Sequence, residues 1–195
     1  MRWFVAVLVA FLLGVGVYLG SAVVSVTRLA EAARSGDSAS VLARTDIARV
    51  RRSLVDQIVS TYLKKLGRDR PVKPLEQLAA NTYGASIADG LIAKLVTGEN
   101  LTKILNDGSI VSHGNQIGNM QPFSAINASS ALEVLKRISP VKPVEFFVRV
   151  GETKSAGGVS FHFEWTGWKL SGVELPSSVI EALAQSLVSS RGRSS

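Results

Sequence analysis

From Trp3 to Thr27 the chain reads WFVAVLVAFLLGVGVYLGSAVVSVT, 25 residues without a charge, and few folds can accept such a run. A helix needs roughly 20 apolar residues to cross the hydrocarbon core of a bilayer. The run therefore reads as a signal anchor, residues 1–27, retained as a transmembrane helix. A cleaved signal peptide is the competing reading, because Gly20 and Ala22 present small residues at the spacing a signal peptidase uses. Against it, the apolar run continues through Val23, Val24 and Val26, beyond the roughly 7–15 residues of a signal core. Trp3 and Tyr18 suit interfacial or near-interfacial positions, and Tyr18 equally suits the interior of the span.

Orientation is not chosen by local charge, since Arg2 precedes the run and Arg28 and Arg34 follow it. A two-residue amino tail ahead of the whole folded chain resembles an export signal. The expectation is a protein held in the cytoplasmic (inner) membrane with its soluble domain on the outer, periplasmic side. The chain has no cysteine, which is compatible with that side without selecting it.

The remaining residues, 28–190, predict a single α+β domain, with helices over 28–137, strands over 143–176, a closing helix over 177–190 and a loose tail over 191–195. Asp37 or Ser38 caps a short helix that reaches about Arg44, and a longer helix runs from Thr45 or Asp46 to Leu66, with Gly67 as its stop. A further helix is expected from Pro74 to about Val96, then a short one in TGENLTKILNDG and another in SSALEVLKRI. Between those two, residues 109–128 show no period and predict a long loop, or a loop enclosing a short strand around Ile110 and Val111.

After Pro143 the period changes to two. Phe146, Val148 and Val150 share one face; Val159, Phe161, Phe163 and Trp165 share another, with Ser160, His162 and Glu164 opposite. A third strand, WKLSGVEL, keeps its apolar face only if Ser171-Gly172 forms a bulge, so the sheet is an antiparallel meander of at least three strands.

Charge is concentrated in one place. Between Arg44 and Lys73 lie nine of the 22 Lys and Arg residues against three acids, +6 of a formal net +7. On a helical wheel Ile47, Val50, Leu54, Val55, Ile58, Val59, Tyr62 and Leu66 form one apolar arc, with Arg49, Arg52, Asp56 and Lys64 opposite or at its rim. A core helix with a solvated back accounts for that pattern. Contact of Lys64, Lys65, Arg68 and Arg70 with anionic lipid headgroups is the next reading, because a tethered domain stays close to a bilayer. Nucleic acid is not expected as a partner: no aromatic residues interleave with these charges and no binding motif is present. Arg51 is the exception, projecting near the middle of the apolar arc, where an unpaired guanidinium is costly.

The segment SVTRLAEAARSGDSASVLARTDIARVRRSLVDQI resembles the signature of domain of unknown function family 2939, bacterial proteins with an amino-terminal membrane segment. The matching positions are Asp37, Leu42, Asp46, Ile47, Arg51 and Leu54. LVTGENLTKIL is similar to a second shared stretch, with Gly98 standing where the family has proline. The resemblance implies location and architecture but no reaction, and it marks Asp46 and Arg51 as recurrent positions, structural or anion-pairing. At i and i+5 they are poorly placed to bridge each other on a helix, which leaves room for separate partners.

Two histidines, no cysteine and no repeated acidic spacing exclude the common zinc sites, and no phosphate loop or nucleophile elbow occurs, so neither metal nor cofactor is implied. The available catalytic constellation is His162 with Glu164, two apart on one strand face, with Arg149 or Glu145 across the ladder. Such a group is usually the solvated side of a one-faced sheet. The expected function is a noncatalytic envelope module that binds a partner protein, lipid or small ligand. The alternative is a small-molecule-binding or enzymatic domain using the concave face of the sheet.

Overall fold

The computed structural model describes residues 2–69, 89–90, 92–93, 95–112, 115–126, 130–151 and 156–191. Most of the helix expected from Pro74 to Val96, together with His113, lies outside the described residues. The fold is α+β, as the change of period predicts.

Helix α1 is one uninterrupted rod, Arg2–Arg34, and its two ends have different surroundings. Its first half exposes Trp3, Phe4, Leu8, Phe11, Leu12 and Leu13, while Ala22, Val26, Leu29, Ala30, Ala32 and Ala33 are buried in the core. The helix therefore runs unbroken past Thr27, and burial on one of its faces begins at Ala22. Small residues dominate the buried end, and alanine lets neighbouring backbones approach closely.

Gly36, at φ 71°, turns the chain, and Asp37 caps α2 (Ser38–Ala43) by accepting from Ser40 N at 3.0 Å. The chain then touches the sheet. Asp46 N donates to Leu170 O and Leu170 N to Arg44 O, both at 2.8 Å, forming a short parallel bridge. Helix α3 (Ile47–Asp69) starts there. It passes through Gly67, expected as its stop, because a helical glycine costs only about 1 kcal/mol. Val50, Leu54 and Ile58 bury the apolar arc, with Arg49, Arg52 and Asp56 exposed on the other side.

Helix α4 (Gly98–Asp107) is capped by Thr97, whose side chain accepts from Asn100 N, and ends at Gly108 with φ 72°. A Cβ there would come within 1.9 Å of Met120 O, so only glycine fits this return. The stretch read as a loop contains a hairpin, β1 (Ser109–Ser112) with β2 (Asn115–Asn119), followed by a 3-10 turn at Phe123–Ala125. The strand at Ile110 and Val111 was legible. Its partner was not, because NQIGN has a single large apolar side chain, Ile117, and carries no alternation.

Helix α5 (Ala131–Arg137) leads directly into β3 (Ile138–Lys142), which the sequence reading placed outside the sheet. Pro140 is tolerated within it because β3 is an edge strand, where proline's missing N–H is accommodated. Strands β4 (Glu145–Arg149), β5 (Gly158–Glu164) and β6 (Gly167–Glu174) complete an antiparallel sheet in the order β3-β4-β5-β6. Ser160 pairs with Gly172 and Phe161 with Leu170, so Ser171 is the extra residue of the expected bulge. Phe146, Val148, Phe161, Trp168 and Leu170 form the buried face. Trp165 does not join them: it sits in the β5–β6 turn, where the pleat ends. Helix α6 (Ser177–Arg191) closes the chain and buries Val179 and Leu183.

Candidate functional site

Strand register brings the polar side chains of the sheet's outer face into rows. Glu145, His162 and Lys169 are cross-strand neighbours, as are Phe147, Ser160 and Gly172. Within the first row Lys142 Nζ lies 3.0 Å from Glu145 Oε2, and His162 Nδ1 lies 3.6 Å from Glu145 Oε1. That second separation exceeds a hydrogen bond. His162 Nδ1 is buried and has no hydrogen-bond partner among the described residues. Glu164 turns the other way, to Lys169 Nζ at 2.9 Å. His162 and Glu164 thus share a face, as expected, but engage different partners. Glu145 joins His162, whereas Arg149 pairs with Gly158, further along the ladder.

Helix α3 lies along the open edge of β6, and one side chain fixes it there. The Gln57 amide donates to Val173 O at 2.8 Å and accepts from Leu175 N at 3.1 Å, supplying to the edge strand what another strand would supply. At Gly172 a Cβ would meet Ser53 Oγ at 3.1 Å, so the glycine permits this close approach.

The exposed side of α3 and the outer face of the sheet enclose an open groove of about 1010 Å³. Ser160, Ser171 and Gly172 line it, and their small size leaves the space. Arg49, Arg52, Asp56 and Gln57 come from α3, with Val141, Lys142, Glu145 and Glu174 from the strands. His162 and Glu164 do not line it. The Lys142 hydrogen bond holds the Glu145 carboxyl below its ordinary value, with the Lys142, His162 and Arg49 charges adding to the effect. Burial pushes the Glu174 carboxyl up although the residue as a whole is exposed. The groove thus presents cations and carboxylates together, a lining suited to a polar or zwitterionic compound. The wheel placed Arg49, Arg52 and Asp56 on the outer side of α3, but only the bulge and the Gln57 clamp bring them over the sheet.

Asp46 and Arg51 do not bridge each other among the described residues; Asp46 instead engages Arg49. Its carboxylate accepts from Arg49 N at 3.1 Å, capping α3, and pairs with Arg49 Nε at 3.1 Å. Arg51 is half-buried, and its Nε is buried without a hydrogen-bond partner among the described residues. At the other end of α3, Lys64 is exposed and Lys65 Nζ lies 3.9 Å from Glu181 Oε2. The Arg68 side chain and Arg70 lie outside the described residues.

Residues 11–104 match the model of a family described as Protein of unknown function (DUF2939). No curated protein and no solved structure matches the chain. The two stretches that carry the likeness meet in space: a Cβ on Gly98 would come within 2.6 Å of Leu42 Cδ1. Gly98 is the first residue after the Thr97 cap, the helical position where proline fits without losing a hydrogen bond.

Proposed function

Taking as premise that residues 11–104 match the DUF2939 family, whose function is not assigned, we propose that the chain is a membrane-anchored bacterial envelope protein with a noncatalytic binding module. The anchor is the exposed half of α1, and the module faces the periplasm from the inner membrane. Support for the anchor is that α1 is, by length and composition, long and apolar enough to span a bilayer. Support for retention is that Ser21 accepts from Trp168 Nε1 at 3.0 Å and Ala22 is fully buried, so cleavage after Ala22 would remove part of the core.

The observation that carries the binding reading is the groove between α3 and the sheet. Its small floor and its rim of Arg49, Arg52, Lys142, Asp56, Glu145 and Glu174 suit a polar ligand with both charge signs. Ser160→Trp fills the floor. The full-length protein, purified in detergent and read by native mass spectrometry, should carry a small-molecule adduct that Ser160→Trp removes. An adduct unchanged by Ser160→Trp, or none in either protein, overturns the reading.

A second reading, enzymatic, rests on the buried, unbonded His162 Nδ1 facing Glu145 at 3.6 Å. In that case the captured compound is chemically altered by the wild-type protein and left intact by His162→Gln. Lack of alteration in both removes this reading and leaves the binding reading in place.

A further inference from the structure

The exposed part of α1 is short for a membrane span. From Trp3 to Leu19 the large apolar side chains are exposed, and at 1.5 Å per residue this stretch is about 25 Å long. The hydrocarbon core is about 30 Å thick. Since α1 continues without a break into the buried core, no linker separates the bilayer from the domain. The part of the domain beside residues 18–21 is therefore held at the membrane surface.

That part is the end of the sheet carrying the β5–β6 turn. Trp168 donates from Nε1 to Ser21 Oγ at 3.0 Å and packs edge-on against Tyr18 at 5.2 Å between centroids. Phe163, its cross-strand partner, is 42% exposed although it faces the core side. Trp165, three residues before Trp168 and so within about 10 Å of it along the chain, is 103% exposed. The β3–β4 turn lies at the same end, because Phe163 N donates to Val144 O at 2.8 Å, and it exposes Val144. An exposed tryptophan at a turn tip, with apolar neighbours and an apolar helix beside it, has the chemistry of an interfacial anchor.

We propose that the β5–β6 turn, through Trp165 and Phe163 with Val144 beside them, dips into the interfacial layer of the bilayer that α1 spans. The inference rests on the anchor reading above. It makes this turn, rather than the basic end of α3, the domain's lipid contact. Helix α3 starts beside Leu170 and reaches Val173 and Leu175 at Gln57, so it runs with β6, away from the turn. Lys64 and Lys65 lie 18 and 19 residues beyond Asp46, about 27–28 Å further along that helix. With α1 and the turn both engaged, the domain is held by two points and its rotation about α1 is fixed.

The natural chain has no cysteine, so each introduced one takes a unique environment-sensitive label. Three positions in the full-length protein serve: Leu12→Cys in the span, Trp165→Cys at the turn, and Leu132→Cys, exposed at the start of α5, which precedes the far end of β3. Thr166→Cys reports the same turn with Trp165 intact. In phosphatidylcholine nanodiscs holding one chain each, the label at 12 should be quenched by spin-labelled lipid tails. Labels at 165 and 166 should be blue-shifted, quenched by headgroup-level spin labels and shielded from aqueous iodide, while the label at 132 stays open to iodide. If the label at 12 lies in lipid but those at 165 and 166 are as open to iodide as the one at 132, the inference is overturned and the anchor stands. An iodide-accessible label at 12 removes the anchor and the inference together. Shielding at 165 without lipid quenching overturns the inference in favour of a protein contact.

Discussion

Helices α1 and α3 are the two loudest features of the sequence, one for hydropathy and one for charge, and the fold divides them in different directions. Helix α3 is divided around its axis: Val50, Leu54 and Ile58 are buried while Arg49, Arg52 and Asp56 face outward. Helix α1 is divided along its axis: to Leu19 it is exposed nearly all round, and from Ala22 it buries the face that carries Ala22, Val26, Leu29, Ala30 and Ala33 while Val24, Arg28 and Glu31 stay exposed. Alternation of polar and apolar residues at helical spacing tells α3 which side faces the core. A helix that is apolar all round carries no such instruction, so residue size and neighbours decide where burial begins.

The lengthwise division of α1 is the easiest to break. Leu29→Ala removes a side chain that is fully buried and should lower the stability of the full-length protein in detergent by about 2–5 kcal/mol. Leu12→Ala, at an exposed position, should leave the unfolding midpoint where it is. Equal effects of the two substitutions would mean that α1 is not divided at all.

The division around α3 is tested at the clamp on β6. Gln57→Ala removes two bonds to the edge strand and should cost about 1–3 kcal/mol in chemical denaturation. Ser60→Ala, whose hydroxyl bonds among the described residues to Gln57 O of its own helix, should be silent by the same measurement. Arg51 sharpens the comparison, being a cation on the apolar side. Arg51→Met keeps the stem and removes the unbonded Nε, so stability should stay within about 1 kcal/mol of the parent or rise. A loss as large as that of Gln57→Ala would reveal a partner for the guanidinium.

Two carboxylates of the groove should respond to pH in opposite directions. Glu145 is held down by Lys142, so its contribution to stability is present above the ordinary glutamate value and is lost as pH falls through the lower folded value. Lys142→Ala should flatten that acid slope in thermal melts recorded from pH 6 to pH 2. Glu174 is pushed up by burial, so its ionisation opposes folding as pH rises from the ordinary value through the folded one. Glu174→Gln should therefore raise the midpoint slightly at pH 7 and leave it unchanged in acid.

The smallest effect is expected where the two family stretches touch. Gly98→Pro restricts the unfolded chain at the first position of α4 and should stabilise by about 0.4–1 kcal/mol, provided the Leu42 side chain can move aside. A lowered midpoint in thermal melts would mean that Leu42 cannot yield.

Local signals were strong wherever one residue type settles a backbone choice. Asp37 and Thr97 cap helices, Gly108 ends one, Ser171 makes the bulge, and the alternation from Phe146 to Val173 identifies the central strands. The errors arise where a local preference is weak or is overridden. Gly67 is carried inside α3 by the rest of the helix; Pro140 is tolerated because its strand is an edge; Trp165 leaves the buried face because the strand has already turned. The candidate site divides in the same way. Alternation placed His162 and Glu164 on one face, but their actual partners, Glu145 and Lys169, depend on register between strands.

By itself, then, the sequence determined the membrane-length helix, the α+β order, the buried side of α3 and the polar face of the sheet, because each is written in the spacing of neighbouring residues. Only the tertiary structure decided where α1 stops being exposed all round, how α3 clamps β6 to open a groove, and that Trp168 of β6 meets Tyr18 and Ser21 of α1. Those features join residues more than 100 positions apart, such as Gln57 with Val173 and Ser21 with Trp168. Distant pairings are selected by the packing of the whole chain, and a periodicity read over a few turns does not contain them.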